Sequence, residues 1–386
     1  MKKFFLYALS FILIPINIHP QNDVNITILV KANNLPSGSS VYVTGNDAKL
    51  GYWQPDAVKL IENVNAIWSK SFLFKKGEKI EFKITLGNWE TEALNVDGSI
   101  PSNHSIEVLN DTTIEIEVNR WTEKLEKKTE GQITGIVQYH LNMKGKGIKA
   151  RDIIVWLPPY YFLEPEKKYP VLYMHDGQNI VNPRTSTFQI DWQIDETADS
   201  LIRKGLIEEI IIVGIYNTSD RKSEYSENDT GYAYMNFIVD SLKPFIDRNY
   251  RTLPDKKYTA TAGSSLAGLI SFMLVWEHTE IFSMAACISP AFKIGRYNFV
   301  DNVESYKGEK KNIKIYIDNG DNELDSKLQN GIDEMLQALN VKGLVQDEDY
   351  FYYKAINSQH SERDWAKRVW RTLIFLFGKE KGRKLL

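Results

Sequence analysis

Two regimes of apolar spacing divide the chain. From Asn25 to about Val118, apolar and polar positions alternate in short runs: Ile26, Ile28 and Val30, then residues 41–44, 68–74, 80–85 and 114–118. A period of two sends successive side chains to opposite faces of a strand, and Gly- and Asn-rich turns separate the runs. This part predicts a small antiparallel, immunoglobulin-like β-sandwich. From Ile153 onward the apolar runs become continuous, at 153–157, 171–174, 210–215, 258–262, 283–289 and 313–317, with amphipathic segments between them. Strands buried on both faces read this way, and alternation with helices predicts a doubly wound, mostly parallel α/β domain. The polar stretch from Thr122 to Gly131, dense in Lys and Glu, is the expected seam. The expected division is therefore a sandwich at 21–121, a linker at 122–132 and an α/β domain at 133–386.

Composition narrows the classes of function. Of 386 residues, 43% are hydrophobic, enough to bury sizeable cores and to exclude a disordered chain. A net charge of −3 gives no field that would gather phosphate backbones or anionic lipid, so nucleic acid is not an expected partner. The single cysteine, Cys287, excludes an internal disulfide and a cysteine-rich metal centre, and its apolar surroundings predict a packed core thiol. At the N-terminus Lys2 and Lys3 precede an apolar stretch from Phe4 to Ile18, the order of a signal peptide, placed here at 1–20. That stretch is short for a hydrocarbon core of about 30 Å, which takes about 20 residues. The expectation is an exported protein, periplasmic or secreted, whose mature form does not insert stably in a membrane.

The run from Lys257 to Ile270 begins as a strand and continues as an apolar helix, with Gly263, Ser264, Ser265, Ala267 and Gly268 crowded at the junction. A nucleophile elbow needs that crowding, and Ser265 holds the central place of its G-x-S-x-G pattern, with Ala267 in place of the second glycine. Leu266 would offer its backbone N–H, at a helix start, to a developing oxyanion. A second donor is expected from Gly177 or Gln178, in the loop after the strand at 171–174, with His175 and Asp176 shaping that loop. Serine needs a base, and in this fold order the acid and then the histidine follow it. His278 lies on the helix after the elbow; His360 lies in a polar loop between a strand and a Trp-bearing helix, where a base can reach the sheet edge. The acid is expected after the strand at 312–317, where Asp318, Asp321, Glu323 and Asp325 all compete. No metal site and no cofactor are expected.

These residues resemble the esterase D and feruloyl esterase branch of the α/β-hydrolases, which also includes enterochelin esterases and antigen 85 mycolyltransferases. The similarity runs from about Ile133 to Phe377 and includes Arg151-Asp-Ile-Ile-Val-Trp-Leu-Pro-Pro-Tyr160, Tyr169-Pro-Val-Leu-Tyr-Met-His-Asp-Gly-Gln178, Arg221-Lys-Ser-Glu-Tyr225 and Gly263-Ser-Ser-Leu-Ala-Gly268. The resemblance implies a G-x-x-D/E acid, and Gly320-Asp-Asn-Glu323 places Glu323 there. More faintly, the sandwich is similar to family 20 carbohydrate-binding modules, the starch-binding type, through Val43-Thr-Gly-Asn46, Leu50-Gly-Tyr-Trp53, Phe82-Lys83 and Asn88-Trp-Glu90. That resemblance implies a sugar platform of Trp53, Lys83 and Trp89; the competing expectation is that both tryptophans plug the core. Tyr225, Tyr234 and the aromatics near Tyr160 are candidates for an acyl pocket or for packing. Together these readings imply a serine esterase with a Ser265–His360–Glu323 triad and an acyl-enzyme. Its substrate would be a carbohydrate ester, and the module would bind a starch-like glucan. The alternatives are a non-catalytic sugar-binding protein and an acyltransferase of the same fold.

Overall fold

In the computed structural model, which describes residues 23–36, 38–63, 66–95, 101–121 and 133–386, the two spacing regimes become two units, one within Met1–Leu125 and one within Glu126–Leu386. The expected signal peptide and the expected linker lie outside the described residues. No described helix is long and apolar enough to cross a membrane.

The first unit packs two four-stranded sheets face to face. Strand Asp23–Ala32 shows why the alternation was legible: Val24, Ile26, Ile28, Val30 and Ala32 are buried while the residues between them are not. One expectation is corrected. The sandwich is not wholly antiparallel, because Asp23–Ala32 pairs antiparallel with Ile67–Lys75 but parallel with Thr112–Val118. Asp23–Ala32 and Thr112–Val118 lie far apart in the sequence, so no tight turn joins them and no hairpin forces them antiparallel. Trp68 and Trp121 are buried in the core beside Phe74 and Phe82.

In the second unit eight strands form one mixed sheet: β1 (Ile136–Gly145), β2 (Ile148–Leu157), β3 (Val171–His175), β4 (Ile211–Ile215), β5 (Thr259–Ser264), β6 (Met284–Ile288), β7 (Lys314–Asn319) and β8 (Tyr350–Lys354). Their order is β1-β2-β4-β3-β5-β6-β7-β8. The pairs β1/β2 and β2/β4 are antiparallel, and every later pair is parallel. Both faces are covered. Ile153 and Val155 of β2 enter one apolar cluster, and Ile154 and Trp156 enter the other. Because β3, β5, β6, β7 and β8 run in one direction, the segments following them all leave the sheet at the same edge. These are the segments that carry Gly177, Ser265, Ser289, Asp325 and His360, and this is the edge where open α/β sheets place their ligands.

Candidate active site

β5 ends at Ser264 and helix α1 (Leu266–Glu277) starts two residues later, leaving Ser265 as the whole turn. Its backbone sits at φ 60°, ψ −123°, a strained region for a residue with a side chain. Hydrogen bonds to β6 and the segment after it hold it: Ser265 N–H donates to Ile288 O at 2.9 Å, and Ala291 N–H donates to Ser265 O at 3.1 Å. A Cβ on Gly263 would stand 2.6 Å from the Ala267 methyl, so the bare α-carbon at 263 makes the room that Ala267 fills. The departure from glycine at 267 is thereby absorbed. Leu266 is the first residue of α1, where backbone N–H groups have no partner within the helix.

The loop after β3 is rigidly braced. Asp176 adopts φ 56°, ψ 44°. Its carboxylate takes two hydrogen bonds from Arg221, at 2.8 and 2.7 Å, and one from Asn217 Nδ2 at 2.6 Å. Burial raises its pKa, but the Arg221 charge and these hydrogen bonds outweigh that and hold it below the usual range. Asp176, in this left-handed conformation, makes the turn out of β3. Gly177 instead lies flat on Gly214, where a Cβ would come within 2.4 Å of backbone. Gly177–Asn179 form a single helical turn, again with first-turn N–H groups, and Gln178 Oε1 accepts from Asn217 N–H at 3.2 Å.

His175 is spent on structure. Its Nδ1 meets Tyr234 Oη at 2.7 Å and its Nε2 meets Thr261 Oγ1 at 3.2 Å. Burial pushes it down to about 3, so the ring is neutral. Tyr225 and Tyr234 are fully buried. Tyr225 Oη accepts from Asp176 N–H at 3.3 Å, so both tyrosines support the loop rather than line a pocket. Tyr160, half exposed, lies against the guanidinium of Arg203. Arg151 lies over the Tyr234 ring and forms a fully buried ion pair with Glu224. The motif Arg221 to Tyr225, informative in sequence only as a resemblance, is thus the brace of this loop.

The acid is corrected. His360 Nδ1 lies 2.6 Å from Asp325 Oδ1, and Asp325 is wholly buried. One ring N–H has one such acceptor, so Glu323 does not hold this place. Glu323 opens helix α2 (Glu323–Val341) with φ 52°, is exposed, and receives a long 3.4 Å contact from Gln359. Two residues further on, the helix turns Asp325 inward. Counting from Gly320 finds the right loop but cannot tell which carboxylate of the first turn faces the core. Asp325 Oδ2 also accepts from Gly320 N–H at 2.7 Å and from Ser289 Oγ at 3.0 Å. Burial raises its pKa, while His360, the Gly320 N–H and Arg368 bring it below the ordinary value. The rings of Trp365 and His360 pack in a T-shaped pair with centroids 4.9 Å apart. His278 pairs with Glu280 at 3.3 Å, and Cys287 is buried with its thiol pushed well up by desolvation.

In the sandwich Trp53 and Trp89 are half-buried, and the core is plugged by Trp68 and Trp121 instead. Thr85 joins the two tryptophan-bearing loops: its Oγ1 donates to Pro55 O at 2.8 Å and accepts from Gly87 N–H at 3.1 Å. Lys83, expected in the sugar platform, is only 17% exposed, and its Nζ pairs with buried Glu92 at 2.5 Å.

Residues 149–376 match the Esterase family, described as "Putative esterase", and residues 23–113 match the "Starch binding domain" family. An endo-1,4-beta-xylanase/feruloyl esterase of Xylanibacter ruminicola is 27% identical over 179 residues, 46% of this chain and 23% of that protein. The chain thus spans about a quarter of that relative's length. Among solved structures, a ferulic acid esterase superposes with a TM-score of 0.54 at 21% identity, covering 64% of this chain and 99% of its own. The enterobactin esterase of Shigella flexneri gives 0.53 at 12% identity, covering 87% of each. Those two likenesses speak for the fold, and the family match extends over more than half of the chain. The chain belongs to the Esterase family and has the α/β-hydrolase fold, and its residues 23–113 match the starch-binding domain family.

Proposed function

We propose that the protein is a serine esterase that cleaves a carboxylic ester carried by a carbohydrate, or joining a carbohydrate to an aromatic acid. The observation that carries this reading is the hydrogen bond between His360 and buried Asp325 at the sheet edge that also bears the strained Ser265 elbow. Asp325 fixes Nδ1 as the protonated nitrogen, leaving Nε2 as the base. Ser265 Oγ attacks the ester carbonyl and its proton passes to His360 Nε2. The oxyanion takes N–H groups from Leu266 and from Gly177 or Gln178. Collapse breaks the ester C–O bond, His360 returns the proton to the leaving alcohol, and the acyl group stays on Ser265. Water, deprotonated by His360, then releases the acid. Every proton in this cycle is handled by side chains of the chain itself.

The carbohydrate part of the proposal is supported by the starch-binding match and by the name of the Xylanibacter relative. Trp53 and Trp89 present partly exposed indoles, whose flat faces suit the apolar face of a pyranose. Ala267, the one departure from the elbow pattern and so the residue that would favour a non-catalytic hydrolase, is accommodated beside the bare α-carbon of Gly263. Export remains part of the proposal. Residues 1–20 fused to a periplasmic reporter should direct it out of the cytoplasm, and a reporter retained inside would remove that part. The catalytic part is tested by turnover of acetyl, feruloyl and p-nitrophenyl esters. Ser265→Ala should lower kcat by on the order of a million-fold. Undiminished turnover by Ser265→Ala would refute the assignment.

A further inference from the structure

We propose that Ser289 is a positioning residue for the reaction, setting the charge and orientation of Asp325 and, through it, the basicity delivered by His360. This rests on the catalytic reading above and adds a residue to it.

Ser289 follows β6 and is fully buried. Its backbone is in the left-handed region, φ 44°, and its N–H is bound to Asp318 O. A serine there bears strain that glycine would not. The side chain accounts for it. A hydroxyl has one hydrogen and two lone pairs. Trp365 Nε1 donates to Ser289 Oγ at 3.1 Å and Arg368 Nη2 donates at 3.0 Å, which fills both lone pairs. The hydrogen is left for Asp325 Oδ2, 3.0 Å away. The direction of this hydrogen bond is therefore fixed: Ser289 always donates to the acid.

Two consequences follow for the chemistry. The acid is held at both oxygens, by His360 on Oδ1 and by Gly320 N–H and Ser289 on Oδ2, so its plane cannot rotate away from the imidazole. The donated hydrogen also draws off part of the carboxylate charge. The contacts close a ring, because Trp365, which donates to Ser289, also packs in a T-shaped pair with the His360 ring. Base and acid are thus fixed by groups that are fixed to each other, and Arg368 ties the ring to buried Asp318 at 3.1 Å. A buried polar network of this kind couples its members beyond pairwise sums.

The test is a double-mutant cycle of Ser289→Ala and Asp325→Asn in the full chain. Turnover of p-nitrophenyl acetate is expressed per site titrated with a fluorophosphonate, so that misfolded protein is not counted. Ser289→Ala should lower kcat about 10- to 100-fold with KM within about twofold. Asp325, short of one donor, then grips the imidazolium more tightly, so the acidic limb of the kcat/KM profile should move to higher pH. In the Asp325→Asn background the same substitution should cost no more than about twofold. Wild-type kcat per titrated site with an unmoved acidic limb would overturn the role, as would equal losses in both backgrounds, which is what a structural contribution alone produces. Ser289→Gly removes the hydroxyl at a φ glycine accepts freely and carries the same expectations if the alanine variant does not fold. Turnover persisting in Ser265→Ala would instead refute the underlying reading, and the proposed role of Ser289 with it.

Discussion

At the scale of residues, the site separates into groups that touch the reaction and groups that hold them. Asp325→Asn should lower kcat by about 10³- to 10⁴-fold, because an amide no longer enforces the imidazole tautomer, while Glu323→Gln should stay within about twofold. Steady-state kinetics on the pair decides between the two carboxylates. Ser265 and His360 were legible because elbow geometry demands small neighbours and because few histidines follow the serine. Asp325 was not, since the first turn of a helix offers several acidic residues and burial alone distinguishes them. Ser289 had no sequence signal: its role depends on a left-handed backbone and on contacts with Trp365 and Arg368, more than seventy residues away along the chain. Glu362, beside the catalytic loop, is raised to about 7, first by burial and then by Asp176, with its own amide and Arg221 opposing. A carboxyl raised on folding stabilises the protein fully at acidic pH and loses that contribution as pH climbs from about 4.5 to about 7. Denaturation of Glu362→Gln across pH 5 to 8 should show this slope flattened, with a gain approaching about 3 kcal/mol over wild type at pH 8.

At the scale of elements, legibility followed burial. β3 to β7 lie inside the sheet and read as unbroken apolar runs. β1, at the sheet edge, was missed, because Ile136, Tyr139 and Leu141 are exposed and shifts of register near His140 and Met143 break its alternation. Such irregularities are common on edge strands. The parallel pairing in the sandwich was missed for another reason, since alternation fixes which face is buried but not which neighbour a strand takes. Thr85 carries an element-scale expectation. Thr85→Val removes the hydroxyl that joins the Trp53 and Trp89 loops, and affinity electrophoresis in soluble starch should show weaker retention. Hydrolysis of a small ester should be unchanged. Retention equal to wild type would separate the threonine from the binding surface.

At the scale of the whole molecule, the proposed catalysis depends on a sheet that delivers segments remote in sequence to one edge. The β3 loop is braced from two directions, by the Arg221 fork on Asp176 and by the Arg151–Glu224 pair beneath Tyr234. Arg151→Met should destabilise the second unit by about 3–5 kcal/mol, since it strands a buried carboxylate, and adding Glu224→Gln should restore much of the loss. Chemical denaturation of the single and double variants measures this. Ser265 is the point at which the whole account is most exposed. Fluorophosphonate labelling of the full chain followed by peptide mass spectrometry should find one adduct, on Ser265, that vanishes in Ser265→Ala along with ester turnover. An adduct elsewhere, or turnover that outlives Ser265, would contradict it.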